Sequence, residues 1–500
     1  MYVDAYIVVS TVVQILQFIG LTSLTRLTEQ CSSLEQLASA NVLQAHDDAY
    51  GKRQQAYFIN QHKEIHPACR YLPNGPYDLR AALKHLISSG TAFAVQSGGH
   101  SYNVGASNVE NGVTIDLSRL SSITLTDNNA AAWVGPGARW RDVYAALEPH
   151  GLTMPGGRVA DVGVGGYVLG GGFSWFSASK GWVCDSVLEF EVVTPDGRVL
   201  YASATQHEDL FWALKGSLGG FGVVTAIKMP TMQYTGIYGG VIIYDQAQMP
   251  KLITTLNDLA IAEDEKATQA IFNMVWNRGQ NHHLYLASFT NTDNDASSPA
   301  IANWTSIPNN VNTLHTSTMS EAAEELLSPE LPKQRRNKFA LTVRSSEEVI
   351  DYIHSTYVDA STNTTDGSST NLGDTYIVTI QPLVRSHLAA SAASGNIFPL
   401  SEDDGALLIV TVELYWDSKD QDSYFEQYSK DWHDSWMENF VRLGAVPSTG
   451  WIYPNYAGPW QEMYSAERLG KNTTDELSKI AQKYDGQGVW KKLVPGAWHF

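Results

Sequence analysis

The chain has 500 residues and a net charge of −19, with 43% hydrophobic, 11% aromatic and only 17% charged residues. A typical soluble domain carries about 25% charged residues, so this balance excludes a disordered chain and a coiled coil. The length exceeds one compact core and implies two or three domains, and the acidity argues against nucleic-acid binding, which needs basic side chains to release counterions.

Taken in order, Ala5 to Gly20 is mostly apolar but interrupted by Ser10, Thr11, Gln14 and Gln17. That falls short of the roughly 18 unbroken apolar residues of a membrane helix. Asp4 also stands where a secretory signal has its basic region. Residues 1–22 are expected to be a signal peptide or anchor, which would send the chain to the secretory pathway or outside the cell; the alternative is an amphipathic helix. Cys31, Cys69 and Cys184 form no C-x-x-C, and arithmetic alone favours three free thiols. Asn303, Asn363 and Asn472 head N-x-[ST] triplets, which this Ser and Thr content produces by chance.

Short strands are expected at Val113–Leu117 and Ala131–Val134, then a helix at Arg139–Glu148 ending at Gly151. Val187–Val193 and Val199–Ala202 flank the turn Thr194-Pro195-Asp196-Gly197 and read as a hairpin. A short helix at Asp209–Lys215 and a strand at Phe221–Met229 follow. Beyond about residue 230, strands are expected at Gly240–Tyr244, Ala270–Trp276 and His283–Phe289, the last two joined by a turn at Arg278–Asn281, with a helix at Leu252–Ala262. Residues 355–374, rich in Ser, Thr, Asn, Asp and Gly, read as a long loop. Leu407–Trp416 reads as a strand with Thr411, Glu413 and Tyr415 on one face. Phe425, Tyr428, Trp432, Trp436 and Phe440 recur at helical spacing, so 421–442 is an amphipathic helix whose aromatic stripe is core. The second half is therefore expected to be antiparallel sheet covered by helices.

Several chemistries are excluded by their missing motifs. There is no P-loop and no G-x-S-x-G, and Val168 spoils G-x-G-x-x-G after Gly163. His282 and His283 are adjacent on a strand and point to opposite faces, so no metal site is expected. Two glycine segments remain: Ser97-Gly98-Gly99-His100-Ser101, and Pro155 to Phe173, where eight glycines fall within the 17 residues from Gly156 to Gly172. Consecutive glycines allow close backbone approach and can turn N–H groups toward a pyrophosphate without Lys or Arg.

The series SGGHS at 97–101, GASNVENGVTIDLSRL at 105–120, PGGRVADVGVGGYVLGGG at 155–172 and ALKGSLGGFGVVT at 213–225 resembles the berberine bridge enzyme-like branch of the FAD-linked oxidoreductases, which belong to the vanillyl-alcohol oxidase type. TGWIYPNYAGPWQ at 449–461 and KYDGQGVWKKLVPG at 483–496 fit the same pattern, and the texture is closest to fungal members. The resemblance implies an α+β fold. A two-part PCMH-type FAD-binding domain would span 31–230 and a substrate domain 231–445, with 446–500 returning to the FAD domain. It implies FAD bound by Ser97, Gly98, Gly99, His100 and Ser101. The other wall would be Val162, Gly163, Gly165, Gly166, Tyr167, Gly170, Gly171 and Gly172. Gly222, Val223, Asn455 and Tyr456 would complete the site. It also implies a histidyl bond from His100 to FAD and a Cys31–Cys69 disulfide, which reverses the arithmetic.

Three departures stand out. Val159 occupies the position where doubly linked relatives carry Cys, which leaves one covalent bond; Tyr167 stands where many have His; and Gly219-Gly220 stands where many have Asn-Asn. Base candidates are Tyr453 and Glu413, then Tyr415, since a Tyr beside a cation can lose its proton. The expected function is a monomeric oxidase passing a hydride from a small organic substrate to FAD, with O2 as acceptor, in fungal secondary metabolism. A carbohydrate oxidase, a flavin-containing cyclase without net redox, and a carbohydrate-binding or storage protein are the alternatives.

Overall fold

The computed structural model describes residues 31–277, 282–326, 335–362 and 375–500. The expected signal segment at 1–22, the turn at 278–281 and the sequon at Asn363 lie outside these residues.

Three large sheets and one two-stranded ribbon, Leu152–Thr153 with Met232–Gln233, organise the described residues. The first has four strands in the order Val42–Gln44, Cys69–Tyr71, Val113–Asp116 and Phe93–Gln96, the last three parallel. The second has five antiparallel strands in the order Ile123–Thr126, Ala131–Val134, Val223–Pro230, Glu189–Val193 and Val199–Ser203. The expected hairpin joins the last two: Gly197 adopts φ +81°, which an L side chain resists, and its N–H closes the turn onto the Thr194 carbonyl. Cys31 and Cys69 form a disulfide, and Cys184 is a buried free thiol.

The third sheet is antiparallel with eight strands. Its long members run Ile237–Tyr244, His282–Asn291, Thr268–Asn277, Thr375–Leu383, Leu407–Trp416 and Arg335–Arg344. One face is apolar. Phe272, Met274, Val378, Ile380, Val410, Val412 and Leu414 pack there against the helices Met249–Ile261, Glu347–Thr362 and Asp422–Arg442. Phe425, Trp432, Trp436 and Phe440 are buried in that core, as their spacing implies. Because strand side chains alternate, the opposite face carries Asn273, Thr379, Thr411 and Glu413, and this face lines a cavity.

The expected loop at 355–374 is corrected in its first part, since residues 355–362 belong to the helix Glu347–Thr362. Ile350, Ile353, Tyr357 and Ala360 are buried at helical spacing, and that burial outweighs the polar composition around them. Residues 363–374 lie outside the described set.

The last segment packs back on the first two sheets. The Trp490 indole meets Phe93 edge-on at 5.7 Å and donates to the Gly219 carbonyl, and Phe500 stacks on Phe221. Among the described residues no helix is long and apolar enough to cross a membrane.

Candidate active site

A cavity of about 1020 Å³ lies between the glycine-rich loops and the polar face of the third sheet. Its first wall is backbone. The loop after strand Phe93–Gln96 and the loop entering helix Val164–Leu169 touch at Gly98 and Gly163. A Cβ on Gly98 would lie 2.6 Å from the Cα and N of Gly163, and one on Gly163 would lie 2.5 Å from those atoms of Gly98. Neither position tolerates a side chain. Gly166 differs: it lines the cavity and a Cβ there would meet nothing within 4 Å, so this wall is an open trough that a side chain would fill.

Ser97, Gly98, Gly99, His100, Ser101, Val162, Gly163, Gly165, Gly166, Tyr167, Gly222, Val223, Asn455 and Tyr456 all line the cavity. Gly170, Gly171 and Gly172 do not. They bind the helix end to its neighbours: a Cβ on Gly170 would strike Asn455, and the Gly171 and Gly172 carbonyls accept from the N–H groups of Cys184 and Val183. Val159 lines the cavity as well.

His100 lies under Phe58, ring on ring at 3.7 Å. Burial, with the Lys338, Arg139 and Arg336 charges beside it, lowers its pKa to about 3. The imidazole is therefore neutral, with a nitrogen lone pair available.

The second wall is made of side chains, and sheet register assembles it. Lys338 lies opposite Glu413, which lies opposite Ile377; Arg336 lies opposite Tyr415. Thr411, Glu413 and Tyr415 all face the cavity. Tyr102 donates to Glu413 at 2.5 Å. Burial works to raise the Glu413 pKa, but Lys338, Arg336 and the Tyr102 and Tyr415 hydroxyls outweigh it, so the carboxylate stays ionised. Burial and that carboxylate hold Tyr102 and Tyr415 protonated.

Tyr453 is corrected as a base candidate. It is fully buried behind the cavity wall, stacked on Trp182 at 5.0 Å, and its hydroxyl accepts from Asn455. Burial raises its pKa far above the usual phenol range. Three residues on, Tyr456 meets the condition that Tyr453 fails. Its hydroxyl accepts from Arg158 Nη2 at 3.0 Å and Gln381 Nε2 at 3.3 Å, and it faces the cavity. Burial opposes ionisation there, but Arg158, Lys338 and these hydrogen bonds prevail, so the phenol is more acidic than usual.

Arg158, Gln381, Arg336, Lys338, Phe58 and Tyr102 have no counterpart in the sequence reading. Part of the signal was present: Phe339, Leu341 and Val343 alternate as an apolar face, which puts Arg336 and Lys338 together on the other.

The FAD binding domain family matches residues 67–203, which hold both glycine loops. The chain is 30% identical over 501 residues to the FAD-dependent monooxygenase drtC of Aspergillus calidoustus, covering 95% of this chain and 91% of the relative. The chain belongs to the FAD-linked oxidoreductases. A second relative of this FAD-linked family, the FAD-dependent monooxygenase tpcD of Cochliobolus heterostrophus, is 30% identical over 460 residues, covering 88% of this chain and 86% of the relative. The fold is that of the xylooligosaccharide oxidase from Myceliophthora thermophila, solved with xylobiose, at TM-score 0.73 and 20% identity over 95% of this chain and 99% of that one. Glucooligosaccharide oxidase from Acremonium strictum, which carries a 6-S-cysteinyl, 8α-N1-histidyl FAD, matches at TM-score 0.70 and 21% identity over 91% and 97%. The open trough at Gly166 and the Gly98–Gly163 contact fit a bound FAD. When bound, FAD supplies the hydride acceptor, and the protein supplies orientation and charge.

Proposed function

We propose that this FAD-dependent oxidoreductase oxidises a small organic substrate in the cavity, with O2 taking the electrons as hydrogen peroxide. Tyr456 removes the proton from the substrate O–H or N–H. The observation that carries this reading is the pair of N–H donors from Arg158 and Gln381 on the Tyr456 hydroxyl, which stabilise the phenolate. A positioned base of this kind contributes about 10²–10⁴-fold. Glu413 positions Lys338, Tyr102 and Tyr415 rather than moving the proton itself.

His100 is the assigned attachment point for FAD, because its neutral ring offers a free lone pair at the cavity wall. The single link follows from Val159, which has no sulfur to offer. The Cys31–Cys69 bridge supports an oxidising, secretory compartment. The relatives named monooxygenases favour a small organic substrate, whereas an oligosaccharide substrate has only the shared fold behind it.

Anaerobic reduction of the purified flavoprotein across alcohols, conjugated acids and enols, and xylobiose, followed by peroxide detection in air, tests the reading. Bleaching by a small organic compound, with peroxide on reoxygenation, is expected. Bleaching by xylobiose alone, or a colourless protein, would overturn it.

A further inference from the structure

The sheet wall of the cavity carries two cations, of which Lys338 helps to acidify Tyr456 and Arg336 does not. In a chain of net charge −19, the cavity lining holds five Arg and Lys side chains against two carboxylates. On the glycine-loop side the two arginines have two carboxylates: Asp161 pairs with Arg139 at 3.2 Å and Arg141 at 2.7 Å, and Glu324 lies 3.6 Å from Arg141. On the sheet side Glu413 alone is shared between Lys338 at 3.4 Å and Arg336 at 3.6 Å. Both distances exceed an ordinary N–H···O bond, so the donors are not spent on that carboxylate.

Arg336 is 9% exposed, and its Nε is buried with no hydrogen-bond partner. Its guanidinium lies 4.2 Å from the Phe58 ring and 4.9 Å from the Tyr415 ring. Lys338 lies 4.7 Å from the Tyr102 ring and 5.0 Å from the Tyr456 ring. Two desolvated cations sharing one carboxylate, with an unsatisfied guanidinium N–H, are a costly arrangement unless an anion completes it. The planar guanidinium fork suits a carboxylate or an enolate, and the Tyr102 and Tyr415 rings at the cavity suit a flat conjugated body, whereas Phe58 is already covered by His100 and Arg336. A neutral sugar would leave both the charge and the Nε unmatched.

We propose that the substrate is a conjugated organic oxyanion, a carboxylate or an acidic enol, held by Arg336 and Lys338 beside Tyr102 and Tyr415. This rests on the reading of the cavity as the redox site and narrows its substrate class.

The test titrates the full-length flavoprotein with matched probes. Benzoate is paired with benzamide, and dimedone, an acidic enol, with cyclohexanone. Binding is read from the perturbed flavin spectrum and from calorimetry. The expected result is one oxyanion bound at least about tenfold tighter than its neutral partner. Whichever pair shows the preference identifies the acid type. Arg336→Gln and Lys338→Gln should each lose about tenfold in oxyanion affinity without changing neutral-probe binding or flavin content, and Arg336→Lys should recover part of it. Equal binding within both pairs, binding of none of the probes, or an unchanged preference in both Gln variants would overturn the proposal. A protein that binds oxyanions through Arg336 and Lys338 yet is reduced by none of them would overturn the redox reading, and with it the role of the oxyanion as substrate, while the binding site itself would stand.

Discussion

The two walls of the cavity are built on opposite principles. The glycine-loop wall excludes side chains: Gly98 and Gly163 meet backbone to backbone, and Gly166 leaves a trough open. The sheet wall is the reverse. Arg336 and Lys338, Thr379, and Glu413 and Tyr415 come from three strands and act through their side-chain ends. The first wall suits a cofactor whose shape is fixed. The second suits a substrate that can change from one relative to another while the backbone stays the same.

The largest expected effect breaks the first wall. Gly163→Val would drive a branched side chain into the Cα and N of Gly98, and the loops must part. Purified variant is expected to contain almost no flavin per mole of protein. Retention of a full complement would show that the Gly98–Gly163 contact does not shape the cofactor site. Next, acid precipitation of the wild-type protein should carry the flavin into the pellet, whereas His100→Ala should release it to the supernatant. Yellow supernatant from the wild type would remove His100 as the anchor.

These two outcomes bear on what was legible beforehand. Glycine has no substitute where backbones touch, so SGGHS and the run from Gly156 to Gly172 exposed the cofactor wall in one dimension. The strand Leu407–Trp416 and the aromatic helix 421–442 were legible for a similar reason, because period and composition agree there. The second wall was hidden because sheet register brings Lys338 beside Glu413, and packing of two distant segments brings Arg158 beside Tyr456. Tyr453 and Tyr456 are three residues apart in one motif, and only packing separates the phenol behind Trp182 from the one facing the cavity. Residues 355–362 looked like loop because their polar positions mask a buried stripe at Tyr357 and Ala360.

Two smaller effects sharpen the contrast between the walls. His62 and His387 are fully buried outside the cavity lining, and burial lowers their pKa values to about 4 and about 3. Each stays neutral in the fold but takes a proton in the unfolded chain below about pH 6.5. Their contribution is fully present above that value and is lost as pH falls toward 4. Denaturant unfolding should therefore show a loss on the order of 2–4 kcal/mol between pH 7 and pH 5. Flat stability over that interval would mean that one or both histidines are protonated in the fold. The smallest effect is expected from Val159→Cys, which puts a thiol on the cavity lining. Peptide mass spectrometry should find a minor fraction of flavin attached at both His100 and position 159, with stability little changed. Only the histidyl adduct would show that the thiol does not reach the flavin.

The most direct test of the central claim compares two phenols in one motif. In anaerobic rapid mixing with a substrate, Tyr456→Phe should slow flavin reduction by about 10²–10⁴-fold while flavin content stays at the wild-type level. Tyr453→Phe, behind the wall, should slow it by less than about tenfold. Reduction of the Tyr456→Phe protein at the wild-type rate, or a larger defect in Tyr453→Phe, would contradict the assignment of proton removal to Tyr456.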